Sequence, residues 1–225
     1  MARKTRAPRP PRPVQAPKRR QQPRTAGFSR RATLTAAAAA LAVVAAIAIP
    51  LAFPRGSSSP PKPIAFSTLP GLQTAAPPWN NGDANLPDKL SLVHVDALSH
   101  EGVALHIHQH LDVFVNGERV TVPALVGIYD NSFITEVHTH DASGIIHVES
   151  PKNREFSLAQ FFDEWGVRLS ISCLGRFCGD LHWWLNGKPQ AGSPALLILR
   201  SHQEIVIASG KPPARIPSSY AFGGL

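Results

Sequence analysis

Residues 106–122 read HIHQHLDVFVNGERVTV, and the pair near their centre decides the fold class. Asn116-Gly117 stands between residues 111–115 (LDVFV) and 118–122 (ERVTV). Both residues accept the positive φ that a two-residue type I′ turn requires, so the pair predicts a β-hairpin. Side chains alternate between the two faces of a strand. Leu111, Val113, Val115, Val120 and Val122 then share one face, assigned to the core. His110, Asp112, Phe114, Arg119 and Thr121 share the other.

Working outward, residues 134–140 and 145–149 flank Asp141-Ala142-Ser143-Gly144, which predicts a second hairpin with a four-residue loop. A short helix should follow at Ser157. Ser157 and Gln160 fit a capping box, and Phe156 with Phe161 fits a hydrophobic staple. Leu158, Phe161, Phe162 and Trp165 fall at i, i+3, i+4 and i+7, a single apolar stripe, and Gly166 suits the left-handed position after the last turn. Further strands are expected at 167–172, 182–185, 195–199 and 204–207. Pro189, just after a second Asn-Gly pair at 186–187, keeps the strand there short or at an edge. These elements predict an α+β domain, mostly antiparallel sheet with one short helix. The order hairpin, helix, strands over residues 134–208 resembles a β-grasp arrangement.

All ten histidines lie beyond residue 90. Six fall in two groups: His106, His108 and His110, and His138, His140 and His147. Alternation puts His106, His108 and His110 on one face of a strand, and His138 and His140 on one face of another. If His140 pairs with Ile145, then His138 sits opposite His147, with Cβ atoms about 5 Å apart. Glu136 and Glu149 would edge that patch. Neutral imidazole is a common ligand for Zn, Cu, Ni and non-haem Fe, and three convergent rings can share one ion. Each trio is therefore a candidate metal site. Zn or Cu(II) fits best, because the only methionine is Met1 and no axial thioether is at hand for a blue-copper centre. The plain alternative is that these histidines are structural or surface residues, hydrogen-bonded to Asp112, Asp141, Glu136 or Glu149.

Cys173 and Cys178, in CLGRFC, are the only two cysteines. A disulfide across this short loop fits an oxidising compartment. A redox pair and ion ligation are the alternatives. Of Trp183 and Trp184, one should face the core. The other should face outward, as an interaction surface or packed against the linker.

The formal charge of +8 is not spread evenly over the 225 residues. Residues 1–31 hold eleven Lys/Arg and no Asp or Glu, against twelve and fifteen in the remainder. The basicity belongs to a Pro/Arg-rich tail too polar to bury surface and expected to be disordered. It gives no reason to expect nucleic-acid binding. Residues 32–53 (ATLTAAAAALAVVAAIAIPLAF) carry no charge and as a helix would span about 33 Å, against roughly 30 Å of hydrocarbon. With seven Lys/Arg in the twenty residues before this segment and two in the twenty after, the N-terminus is expected in the cytoplasm and the remainder outside. The tail would touch anionic lipid head groups. The alternative is a cleaved export signal: Ala46-Ile47-Ala48 has small-x-small spacing, and Ser29-Arg30-Arg31 has twin-arginine character. Residues 54–88 read as a Pro/Ser/Gly-rich linker and extended arm, 89–210 as the extracytoplasmic domain and 211–225 as an irregular tail.

The segments HIHQHLDVFVNGERVTVPALVGI, VHTHDASGIIHVES and FSLAQFFDEWGVRLS together resemble an uncharacterised family of membrane-anchored proteins of high-GC Gram-positive bacteria, over roughly residues 69–210. That resemblance implies the tethered topology and a single domain, and it implies no activity. Three functions stand. The first is a membrane-tethered binding module holding a metal ion through one His trio, with no protein partner indicated. The second is a metal-dependent enzyme using Asp112, Asp141, Glu136 or Glu149 as general base. The third is an envelope interaction domain without metal.

Overall fold

The computed structural model describes residues 68–225. The basic tail, the apolar segment 32–53 and residues 54–67 of the linker lie outside the described residues. No helix among the described residues is long and apolar enough to cross a membrane.

The domain is built on strand β2 (Leu105–Val115). At its C-terminal end it turns through Asn116 (φ 52°) and Gly117 (φ 89°) into β3 (Glu118–Val120). The hairpin pairs Val115 with Glu118 and Val113 with Val120, the register the turn predicts. β3 is only three residues long, which leaves the N-terminal half of β2 without a partner on that side. β7 (Ile145–Ser150) takes the place, antiparallel, and on its far side pairs β6 (Val137–His138). On its other edge β2 pairs in parallel with β12 (Glu204–Ser209), which pairs with β10 (Leu181–Leu185) and through it with the edge strand β11 (Lys188–Pro189). Asn186-Gly187 makes the β10–β11 turn at φ 51° and 75°, and β11 ends at Pro189 as expected.

Several expectations change in the structure. The predicted strand 134–140 breaks at Glu136, and its first part joins a separate small sheet of β1 (Ala97–Leu98), β5 (Phe133–Thr135) and β4 (Ile128–Tyr129). The break allows the Glu136 carboxylate to turn inward, where it is fully buried and meets Arg154 and the Ser150 hydroxyl. Residues 167–172 supply only an isolated bridge, Leu169 to Leu174, and 195–199 a single 3-10 turn at Pro194–Leu196 with a bridge from Ile198 to Ser157. A second helix, α1 (Leu86–Val93), straddles the domain start expected near residue 89.

The predicted helix is α2 (Leu158–Trp165). Its capping box is formed, with the Ser157 N–H donating to Gln160 Oε1 at 3.0 Å, and it closes on left-handed Gly166 (φ 74°). Leu158, Phe161, Phe162 and Trp165 fill the inner face of the sheet with Leu111, Val113, Ile146, Val148, Ile205 and Ile207. The polar side of α2 is buried as well, because α1 and the segment before it pack there. Gln160 Nε2 donates to the Val93 and His94 carbonyls, and Lys89 Nζ to the Glu164 carbonyl at 2.8 Å. Burial pushes the Lys89 ammonium down to about 8 against the attraction of Glu164 and Asp163. The segment read as a loose arm is thus part of the core: Trp79 is 4% exposed and meets Trp165 edge-on at 5.7 Å.

The outer face of the sheet is shared between two coverings. Over β12, β10 and the C-terminal half of β2, the irregular tail returns and packs Ile216 with Phe114, Val206, Ala208 and Trp184. Trp183 faces the main core, so each tryptophan has a packing partner. The N-terminal half of β2, with β7 and β6, carries the histidines. Cys173 and Cys178 form a disulfide that closes the β8–β9 turn (Cys173–Leu174 and Phe177–Cys178). On chain entropy a loop this short stabilises by about 2 kcal/mol.

Candidate metal centre

The site follows from register. Alternation gives His106, His108 and His110 one orientation along β2. Antiparallel pairing of β2 with β7 then sets His106 opposite Glu149 and His108 opposite His147. On the other side of β7, His138 of β6 sits opposite the same His147. Three neighbouring strands therefore aim imidazoles at one strip of the outer face, with β7 in the middle. His140 lies just beyond β6, in the turn leading to β7, and its ring still reaches the strip: its centroid is 4.5 Å from that of His147 and 4.7 Å from that of His138.

Two donor groups result, and they share two residues. His106 and His108 gather with His147 and Glu149; His138 and His140 gather with the same pair. In each group one ligand atom per residue lies within 4.8 Å of the others. The Nε2 atoms of His106 and His108 are 3.1 Å apart, and those of His138 and His140 are 3.3 Å apart. Two nitrogens bound to a common ion at about 2.05 Å with a tetrahedral angle stand roughly 3.3 Å apart, so both pairs are close to ligand spacing. The Glu149 carboxylate reaches both. Its Oε1 is 3.2 Å from His106 Nε2 and from His147 Nδ1, and its Oε2 is 3.8 Å from His138 Nε2. Oε2 is buried and has no hydrogen-bond partner.

Local chemistry prepares these groups. His138 is fully buried and its Nδ1–H donates to the Thr135 carbonyl at 2.9 Å. That fixes the tautomer with the Nε2 lone pair facing the strip, the backbone support usual behind a metal-bound imidazole. Burial pushes His138 down to about 3, against Glu149 and the Thr135 hydrogen bond. His108 is pushed down to about 4 by burial and by its neighbours His147 and His106. Both rings are neutral at pH 7, as ligation requires. Burial works to raise Glu149, but the hydrogen bond from His147 and the surrounding imidazoles outweigh it and keep the carboxyl below its usual range. The rim is open: the His106 and His140 side chains are 48% and 40% exposed, and Glu101 Oε1 lies 3.5 Å from His140 Nε2.

His110 does not join its neighbours on β2. Its Nδ1 meets Glu204 Oε2 at 2.8 Å, its Nε2 meets the Ser143 carbonyl at 3.0 Å, and Tyr220 of the tail stacks on its ring at 3.8 Å. His110, Asp112 and Glu204 form a third group of possible donors, but Asp112 is paired with Arg119. Both ring nitrogens are occupied and the ring is covered, so His110 belongs to a closed polar network. The strip instead takes in Glu149, which sequence reasoning placed only at its edge, and Glu101, which it did not single out. A signal for Glu149 existed: it lies two residues beyond His147, on the same face. What was missing was the pairing of β7 with β2.

Compared with protein-family models, with curated proteins and with solved structures, the chain finds no significant match.

Proposed function

We propose that the folded domain is a binding module for a divalent transition-metal ion, held outside the cytoplasm by a membrane anchor at residues 32–53. The observation that carries the metal reading is Glu149: a buried carboxylate with an unpartnered oxygen, set among five imidazoles of which two are held neutral. Burying an acceptor with no partner is costly, and a cation at this position removes the cost. Three imidazoles and one carboxylate suit Zn(II) or Cu(II). The anchor rests on the uncharged 22-residue segment and the basic excess before it, with lipid head groups as partners of the tail. The Cys173–Cys178 disulfide fits an oxidising compartment. This reading also accords with the family resemblance. The central parallel pair β2–β12, with α2 on the inner face, supports a β-grasp-like arrangement.

The test is metal content. Full-length protein in detergent, loaded with Zn(II) or Cu(II) and freed of excess, should retain stoichiometric ion by elemental analysis. At one hundred times Kd the ion should stabilise the fold by about 2.7 kcal/mol, a rise of roughly 5–10 °C in Tm for a domain of this size. His147→Asn, which removes the imidazole common to both groups, should weaken retention strongly. No retention at pH 7.5, and no thermal shift, would end the proposal.

The open rim favours a second reading, a metal-dependent enzyme. An ion here keeps positions toward solvent, and Glu101 beside His140 stands where a general base would act on bound water. Glu101→Gln would then abolish turnover while leaving metal affinity intact.

A further inference from the structure

The arrangement of donors says how many ions the strip takes. The geometry points to a dinuclear centre: one ion on His106 and His108, a second on His138 and His140, bridged by the two oxygens of Glu149. This inference rests on the metal-binding reading above and adds its stoichiometry.

Three observations carry it. First, each close Nε2 pair supplies two ligands to its own point, at 3.1 Å and 3.3 Å. Without an ion, each separation is that of one N–H···N hydrogen bond. An ion would take the place of that hydrogen bond, with the neutral donor ring passing to its Nδ1–H tautomer so that both Nε2 lone pairs face the metal. Second, the carboxylate is oriented between the pairs. Oε1 is on the His106 side at 3.2 Å and Oε2 on the His138 side at 3.8 Å. A carboxylate offering one oxygen to each of two ions is a common bridge where metals stand about 3.5–4 Å apart. Third, the two donor groups coincide only in His147 and Glu149. A mononuclear site using either group would leave the other pair of imidazoles, one of them on a buried residue, without a role. His147 sits between the pairs, its ring edge-on to His108 at 4.6 Å and to His140 at 4.5 Å, within reach of either ion. Rim positions left open at His106 and His140 can be completed by water or hydroxide, which lowers the charge of two divalent ions beside one bridging carboxylate.

The ligand class is thus a pair of borderline divalent ions, Zn(II) or Cu(II). The experiment titrates full-length protein in detergent with Cu(II) and compares metal content with spin count by electron paramagnetic resonance. Two equivalents should bind, with an integrated signal well below the metal content, because carboxylate-bridged Cu(II) ions couple. His106→Asn with His108→Asn should lower the stoichiometry to one and restore an uncoupled signal. His138→Asn with His140→Asn should do the same. Glu149→Gln, close in shape but a weak bridge, should cut affinity for the second ion at least tenfold and uncouple the spins. Circular dichroism checks that each variant folds, and the exposed-residue variants His106→Asn and His140→Asn alone repeat the test if a buried change unfolds the chain. One equivalent in the wild type, with a full uncoupled signal, overturns the dinuclear centre and leaves the metal-binding module standing. No bound equivalent overturns both.

Discussion

Replacing His138 by Asn should make the apoprotein less sensitive to acid, by an amount that its environment fixes. The imidazole titrates near 6.5 in an unfolded chain and near 3 in the folded one, because it is buried against Thr135 and β7. Between these values the unfolded state binds a proton that the folded state refuses. Stability must therefore fall as pH falls below 6.5, by about 1.4 kcal/mol per unit, and be fully present above it. At pH 5 the loss from this one residue is about 2 kcal/mol. The total pH dependence will not display it cleanly. Burial raises Glu164 well above its usual range and lifts Asp163 to about 7. These carboxyls hold protons in the folded state and contribute stability that is lost as pH rises, the opposite sign. The difference between wild type and His138→Asn cancels them. Asn keeps a donor for the Thr135 carbonyl and has no charge to gain. Urea unfolding with a chelator present, at pH 8, 7, 6 and 5, should show the wild type losing about 2 kcal/mol relative to the variant over that range. Parallel curves, within about 0.5 kcal/mol, would mean that His138 is not held neutral by burial, and the claim that its Nε2 is ready for a cation would go with it.

Arg154→Met should cost about 3 kcal/mol, because the fully buried Glu136 keeps the Ser150 and Asp96 donors but loses its countercharge. Adding Glu136→Gln should recover most of the loss in denaturant midpoint, and failure to recover would show that the pair is not coupled. Trp165→Ala should cost roughly 4 kcal/mol, since it opens a cavity beside Trp79, Phe161 and Phe162 and removes the 2.7 Å hydrogen bond to the Asn80 carbonyl. A loss under about 2 kcal/mol by chemical denaturation would contradict the packing of residues 69–85 into the core.

The sequence by itself determined what neighbouring residues decide. Asn116-Gly117 and Asn186-Gly187 set their turns, since each residue needs only its own φ to be accessible. Ser157, Gln160 and Gly166 bounded α2, because caps satisfy backbone groups within one turn. The two-residue period aligned His138 with His140 and set His138 against His147. Tertiary structure alone decided that β7 lies beside β2 and that β12 runs parallel to it. Those pairings join residues 35 to 45 apart for β2 with β7 and 94 apart for β2 with β12, and their gain comes from apolar area buried across the whole sheet, which no local pattern records. The same long-range choices separated His110 from its neighbours. All three β2 histidines share one face and lie on the stretch paired with β7, but Tyr220 of the returning tail covers His110 and leaves the His106 end open. The burial of the polar face of α2 is a long-range choice of the same kind. Only the docking of α1 and Trp79 from far upstream buries it, and with it Glu164, Asp163 and Lys89.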